Sequence, residues 1–360
     1  MFGGSFLMDI VKTNIEEVIF NEIINEHLKP HIRQIDEHVF YPKEFLNAIG
    51  KVGFFNSNKI QKELVSYKDI YLIEETANYC MTTAFTIWCH LAALASARLS
   101  NNIVIKNELL PLLESGDVIG GTGLSNALKY YAGLEPIRIN AKRTEGGYTI
   151  SGNLPSVSNL DEDHWFVIIA SLNPNQRIMC MIPVKLEGLV LESKTDFIGL
   201  NGSATYSCYF NNVFIPDKWI LTEEADEYIQ QLRPILALYQ IPLGIGISQA
   251  AIESIVKNHS KNIEVNQHVK PQPKELIDEI QCIRKNTYAH AKATDLTIIW
   301  KEILRTRLEI AKITLKVVQA DMLYSGGQGY LQGSDSFRRL REAYFIANLS
   351  PTIKHLETLF

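Results

Sequence analysis

Apolar positions in residues 9–115 recur at helical spacing. From Asp9 to His27 they fall at Ile10, Val11, Ile15, Val18, Ile19, Ile23 and Ile24, one face of a 3.6-residue repeat. Glu74 to Leu99 is rich in alanine and leucine, almost free of charge, and holds no glycine or proline. That pattern predicts a helix apolar around most of its surface, hence a buried one. Between 117 and 222 the period changes. Ile137–Arg143 and Tyr148–Ser151 alternate, with Glu145-Gly146-Gly147 between them as a hairpin turn. Trp165–Ala170, Arg177–Pro183, Leu189–Glu192 and Thr205–Phe210 follow as further strands. Short strands with frequent turns predict a small antiparallel barrel or sandwich. From 223 the chain is helical again, most strongly over Leu236–Lys257 and Glu302–Ser325, with a polar loop expected at Asn258–Pro273. The expected class is α+β in more than one unit: 1–116 helical, 117–222 β, 223–360 helical.

Composition narrows the function classes. A net charge of −5 and a pI near 6.0 argue against a general nucleic-acid binder. Cys80, Cys89, Cys180, Cys208 and Cys282 show no CxxC spacing, which suits free thiols in a reducing compartment. No metal site is expected. Residues 1–9 lack a basic n-region and a long apolar core, and no apolar run approaches the ~20 residues that cross a bilayer. A cytoplasmic protein without membrane contact is the expectation.

Five segments carry more specific chemistry. Ser325–Tyr344 pairs a glycine turn, Gly326-Gly-Gln-Gly329, with an arginine-rich helix start at Arg338, Arg339 and Arg341. The others are Leu109–Asp117, Ile119-Gly-Gly-Thr-Gly-Leu-Ser125, Gly152–Asn159, and Gly199–Thr205 running on to Val213-Phe-Ile-Pro216. In this order and at these distances the set resembles the acyl-CoA dehydrogenase family of flavoproteins, over roughly residues 70–352. The resemblance implies an N-terminal helical domain, a middle β-domain and a C-terminal four-helix bundle. It further implies FAD, with FMN less favoured, an acyl thioester substrate on CoA or a carrier protein, an electron-transfer flavoprotein as partner, and a homodimer or homotetramer.

By the same resemblance, Thr122, Leu124 and Ser125 face the flavin's pyrimidine edge, where donors meet a ring that becomes anionic on reduction. Ser156, Val157 and Ser158 line its next element. Gly326, Gly327, Gln328 and Gly329 meet the adenosine half across a subunit boundary, and Thr352 approaches the diphosphate. Lys129, Tyr130 and Tyr131 are candidates for a phosphopantetheine contact. His90, inside the apolar 74–99 segment, is either a satisfied core histidine or a substrate-pocket residue.

The departures from the family pattern matter equally. Its flavin-side tryptophan is Ser156 and its lysine Leu154; a glutamine is Leu323. An arginine that meets the partner's diphosphate falls on Asn262 and its Phe-Gly pair on Val265-Asn266, leaving Lys257, Lys261 or Lys270 to compensate. The glutamate that abstracts the substrate's α-proton falls on Ser350, and an alternate family position on an earlier helix falls on Pro234. Three readings follow. The first is a dehydrogenase with an unplaced base, for which Glu357, Asp226 and Glu227 are nearby in sequence. The second is a monooxygenase of the same fold using reduced flavin and O₂. The third is a flavin-binding or assembly relative without catalysis.

Overall fold

The computed structural model describes residues 17–58 and 60–360. The first expected helix is seen from residue 17 onward, its 9–16 portion lying outside the described residues. Helices α1 (Lys43–Lys51), α2 (Lys62–Tyr79) and α3 (Met81–Leu99) follow. All residues from Met81 to Ala97 are buried, as an apolar surface on every side requires.

The expected continuous helix over 74–99 is divided at Cys80, which is extended (φ −151°, ψ 108°). The cause lies far along the chain. The Glu342 carboxylate accepts from the Thr82 backbone amide at 3.2 Å and the Thr82 hydroxyl at 2.9 Å. It thereby satisfies a first-turn donor that has no partner inside its own helix. A distant acid takes the place of a local N-cap.

The middle region is an eight-stranded sheet in the order β6 (Leu189–Ser193), β7 (Tyr206–Pro216), β3 (Gly147–Val157), β2 (Ile139–Thr144), β4 (Trp165–Asn173), β5 (Gln176–Pro183) and β8 (Ile220–Thr222), with β1 (Gly120–Thr122) beside β4. The hairpin of β2 (Ile139–Thr144) and β3 (Gly147–Val157) turns at Glu145-Gly146, where Gly146 has φ +74°. The pairing is mostly antiparallel, as expected. β1–β4 and a single β2–β4 bridge are parallel. On β4 and β5 (Gln176–Pro183) alternate residues enter two different cores. Phe166, Ile168, Ile178 and Cys180 pack inside the β-region, while Val167, Ile169, Met179 and Met181 join the helical core. Burial on both faces explains why these strands read as continuous apolar runs.

Beyond α4 (Ser125–Tyr131) and the sheet lie α5 (Ala225–Lys261), α6 (Pro273–His290), α7 (Trp300–Ser325), α8 (Asp335–Asn348) and α9 (Ile353–Glu357). α5 carries two prolines and extends beyond the expected Leu236–Lys257 at both ends, taking in Asn258–Lys261 of the expected loop. It is uncharged over residues 234–252. By length and composition it could cross a bilayer, which corrects the expectation that no such run exists; 83% of its most apolar window is buried. Its neighbours approach closely because side chains are missing. A Cβ at Gly246 would stand 2.3 Å from the Glu74 carbonyl, and one at Gly244 2.5 Å from Ile310. The architecture is the expected one: N-terminal helices, a middle sheet, C-terminal helices.

Candidate active site

Two segments singled out for a flavin are adjacent. Thr122, at the end of β1, bridges Ser158 just beyond β3. The Ser158 hydroxyl lies 2.8 Å from that of Thr205, which lies 2.9 Å from that of Ser203, giving a short row of hydroxyls. Leu124 and Val157 direct their side chains into the helical and β cores respectively, so only their backbones can face a ligand. Ser125 opens α4 and is exposed. Its hydroxyl is 3.5 Å from that of Ser350, 225 residues away. Ser156 is exposed and hydrogen-bonds the adjacent Pro155 carbonyl.

Beside Ser350 opens a cavity of about 280 Å³. One wall is a stripe of α5, Arg233, Leu236, Ala237 and Gln240, the i, i+3, i+4, i+7 face of a helix. Lys129 and Tyr131 of α4 also line it, as do Trp300, Ser350, Pro351 and His355, with leucines filling much of the rest. The ionisable groups in this wall are Lys129, Tyr131, Arg233 and His355, with no carboxylate among the described lining residues.

Each group has a definite state. Tyr131 donates to Asp226 at 2.7 Å, and its phenol is pushed up by burial and that acid. Asp226 is also held by Arg177, which keeps its carboxyl below the usual range. Lys129 stands 3.8 Å from Glu135. The Arg233 guanidinium lies over the Trp300 ring at 5.1 Å; its Nε is buried without a partner, and burial lowers its pKa. Burial also lowers the His355 imidazole below 6.5, so it is neutral at neutral pH.

Behind the cavity a hydrogen-bonded chain starts at Ser350, whose carbonyl accepts from Gln240 Nε2 at 2.9 Å. Gln240 Oε1 accepts from Arg307 Nε at 2.8 Å, and Arg307 Nη2 donates to the Ile346 carbonyl at 2.7 Å. Arg307 is fully buried, no carboxylate pairs with it among the described residues, its Nη1 has no partner, and burial brings its pKa down to about 10.

Several expectations are corrected by this geometry. His90 is not a pocket residue: its Nδ1 accepts from the Gly120 amide at 2.9 Å and its Nε2 meets the Leu113 carbonyl at 3.1 Å. It is fully buried and ties α3 to β1. Tyr130 receives Arg177 at its hydroxyl, 3.0 Å, and lies outside the cavity wall. None of the three nearby acids lines the cavity. Asp226 is engaged by Arg177 and Tyr131, Glu357 pairs with Lys312 at 2.8 Å, and Glu227 is exposed. Pro234 is buried off the stripe; the residue of α5 that meets the cavity there is Arg233. Sequence reasoning missed Arg233, Gln240, Trp300 and His355. The stripe spacing on α5 could have flagged the first two; nothing local marks Trp300 or His355.

A second, polar pocket of about 510 Å³ joins the end of α5 to the glycine segment. Asn258, Lys261, Asn262 and Asn266 line it from one side, Gln328 and Gly329 from the other. Lys261 donates to Asn258 Oδ1 at 2.9 Å. Of the other two lysines, Lys257 opens onto a different groove and Lys270 stands 3.8 Å from Glu275. Gly326 and Gly327 face open space. Thr352 caps α9 by accepting from the His355 amide at 3.3 Å, so that hydroxyl already has a local duty. The three arginines of α8 are structural: Arg338 pairs with Glu342, Arg339 with Asp321 and Arg341 with Asp36.

No protein-family model matches the chain. Curated relatives do. The chain is 25% identical to a mitochondrial 2-methylacyl-CoA dehydrogenase of Solanum tuberosum, over 99% of the chain and 91% of the relative. It is 24% identical to a mitochondrial isovaleryl-CoA dehydrogenase of Arabidopsis thaliana, over 95% and 88%. Among solved structures, an acyl-CoA dehydrogenase from Geobacillus kaustophilus superposes with a TM-score of 0.86 at 16% identity, covering 97% of this chain and 96% of that one. The prolyl acyl carrier protein oxidase AnaB does so with a TM-score of 0.78 at 14% identity, over 95% and 96%. The chain is thus similar to acyl-CoA dehydrogenases over nearly its whole length and carries their fold.

Proposed function

We propose that this protein is an FAD-dependent oxidoreductase that introduces an α,β-double bond into an acyl thioester, using His355 as proton acceptor in place of the family's glutamate. The observation that carries the reading is the mainly apolar cavity that reaches Ser350, whose hydroxyl lies 3.5 Å from that of Ser125, and that holds a neutral imidazole. An α-proton of a thioester is weakly acidic, so a positioned base is required. Among the described lining residues, His355 is the one ionisable group whose side chain is both free of a hydrogen-bond partner and uncharged at neutral pH.

The residues present fit the cofactor. Thr122, Ser125 and Ser158 supply hydroxyls and amides at the ring edge. Lys261 in the polar pocket supplies a cation for the diphosphate, and the open face at Gly326 and Gly327 suits an approach by a second subunit. FAD, when bound, supplies the two-electron oxidant that receives the β-hydride. The protein's own part is to hold the acyl chain along the α5 stripe, exclude water with Leu236, Ala237 and Trp300, and take the α-proton at the imidazole. The similarity to an acyl carrier protein oxidase leaves the thioester on CoA or on a carrier protein. The four buried free cysteines suit a reducing, cytoplasmic setting.

The test is anaerobic bleaching of the bound flavin by short-chain acyl thioesters, in the native protein and in His355→Gln. Bleaching that His355→Gln slows strongly supports the reading; oxygen-dependent turnover without anaerobic bleaching replaces it with flavin monooxygenation, which the absence of a lining carboxylate favours as second reading. A protein that takes up no flavin removes both in favour of a binding role.

A further inference from the structure

We infer that the face around the cavity mouth is a docking surface for an acidic carrier protein, so that the thioester arrives on a protein-borne phosphopantetheine rather than on CoA. The inference rests on the reading of this cavity as the acyl site. Exposure locates the mouth. Leu236, Gln240, Leu304 and Ser350 are buried and form the floor, whereas Leu359 is exposed and Lys129 and Trp300 are partly so.

Three cations flank that opening. Trp300 and Leu304 line the cavity from one stripe of α7, and Lys301 and Arg305 occupy the next stripe, about 100° round the helix. Lys354 precedes the lining His355 on α9. All three are exposed, and among the described residues none of them forms an ion pair. Farther along α7 the cations are held: Lys312 by Glu357 and Lys316 by Glu279. The acids of the same helix, Glu302 and Glu309, fall beyond Lys301 and Arg305, on the side away from the cavity stripe. Glu135 is engaged by Lys129 and Arg138. Apolar side chains stand exposed among these cations: Ile298 just before Trp300, then Leu359 and Phe360, with the Arg305 guanidinium 5.1 Å over the Phe360 ring. In a chain of net charge −5 this positive rim is a local feature.

The arrangement separates the two carriers of a thioester. The nucleotide of CoA is small and polyanionic, and holding its phosphates takes donors that converge. Lys301, Arg305 and Lys354 instead project into solvent from two helices, with exposed apolar groups beside them. Spaced cations around apolar side chains complement a protein surface that presents acids around an apolar patch. Rim charges of this kind steer the encounter and select the partner.

The experiment is calorimetric titration of the purified, FAD-loaded protein with one acyl group, butyryl, on an acidic acyl carrier protein, on CoA and on pantetheine. At low salt the native protein is expected to bind the carrier-protein thioester about 10- to 100-fold more tightly than the CoA thioester, the range of electrostatic steering. Most of that preference should vanish toward 1 M salt, where screening acts within about 3 Å. The triple variant Lys301→Glu, Arg305→Glu, Lys354→Glu should abolish the preference and leave butyryl-pantetheine binding unchanged, which also shows that the cavity is intact. Equal or tighter binding of the CoA thioester by the native protein overturns the inference and leaves the thioester reading standing. A variant weakened as much for CoA as for the carrier protein, with pantetheine unaffected, also overturns it, since the cations would then hold the nucleotide phosphates. If butyryl binds on none of the three, the reading of the cavity falls and the inference with it.

Discussion

The junction of α3 with α8 and the surroundings of the cavity beside Ser350 both shelter arginine from water, and they do so in opposite ways. At the junction Arg338 meets Glu342 at 3.0 Å, and the same carboxylate caps the first turn of α3. In the cavity wall Arg233 meets an aromatic ring, and behind that wall Arg307 meets an amide and a carbonyl. A paired cation is neutral to its surroundings and serves the fold. An unpaired one raises the local potential and costs stability unless something arrives to offset it. The same residue type is therefore balanced within the fold in one place and left without an acid in the other.

The largest expected effect tests the cavity side. His355→Gln should lower kcat about 10²- to 10⁴-fold, the span of general-base catalysis, while leaving thioester binding measurable by titration. In the native protein the rate should rise with pH through an imidazole pKa below 6.5 and level off near neutrality, because the base must be unprotonated. A kcat unchanged in His355→Gln would remove the histidine from the chemistry.

The next tests the junction. Glu342→Ala leaves Arg338 with only the exposed Asp335 and strips two donors at Thr82 of their acceptor. It should destabilise the protein by about 3 kcal/mol in urea unfolding, the lower end for breaking a buried pair. A cost under about 1 kcal/mol would erase the contrast between the two regions.

His90 gives a smaller, pH-dependent effect. Burial lowers its pKa from 6.5 to about 3, so the unfolded chain takes a proton in that window that the folded one refuses. Its contribution is fully present above 6.5 and is lost as pH falls from there toward 3, at up to about 1.4 kcal/mol per pH unit. A His90→Gln variant should flatten that part of the stability profile. The smallest effect concerns the polar pocket. Lys261→Ala should weaken FAD about tenfold in equilibrium dialysis, as loss of one charged contact to a phosphate does, whereas Lys270→Ala should not.

Much of the architecture was legible because it rests on local pattern. The β2–β3 hairpin follows from alternation around Glu145-Gly146, and the burial of α3 from its lack of charge. The break at Cys80 was not legible, since its cause, Glu342, lies 260 residues from Thr82. The membrane-like stretch of α5 was passed over because its prolines and glycines interrupt any count of purely apolar residues. In the candidate site, motif resemblance led to segments that do meet, Thr122 with Ser158 and Ser125 with Ser350. It could not supply Arg233 or His355, which belong to no motif and matter only through the company the fold gives them. His90 misled because an apolar flank is equally compatible with a cavity or a core.

The helical core also sets an order of events for the growing chain. Its fully buried members run up to Ala127 and resume at Leu221, with only a few residues of β4 and β5 and Leu200 from between. α3, buried on all sides when folded, hands its Trp88 indole to the Leu236 carbonyl, 148 residues downstream. The most apolar helix of the N-terminal region therefore leaves the ribosome long before the helices that cover it. Contacts of such separation slow folding and lengthen the time an apolar surface stays bare. The middle sheet, whose core draws only on residues 139–220, can close in that interval. Until those later helices arrive, α3 is an apolar surface open to wrong partners.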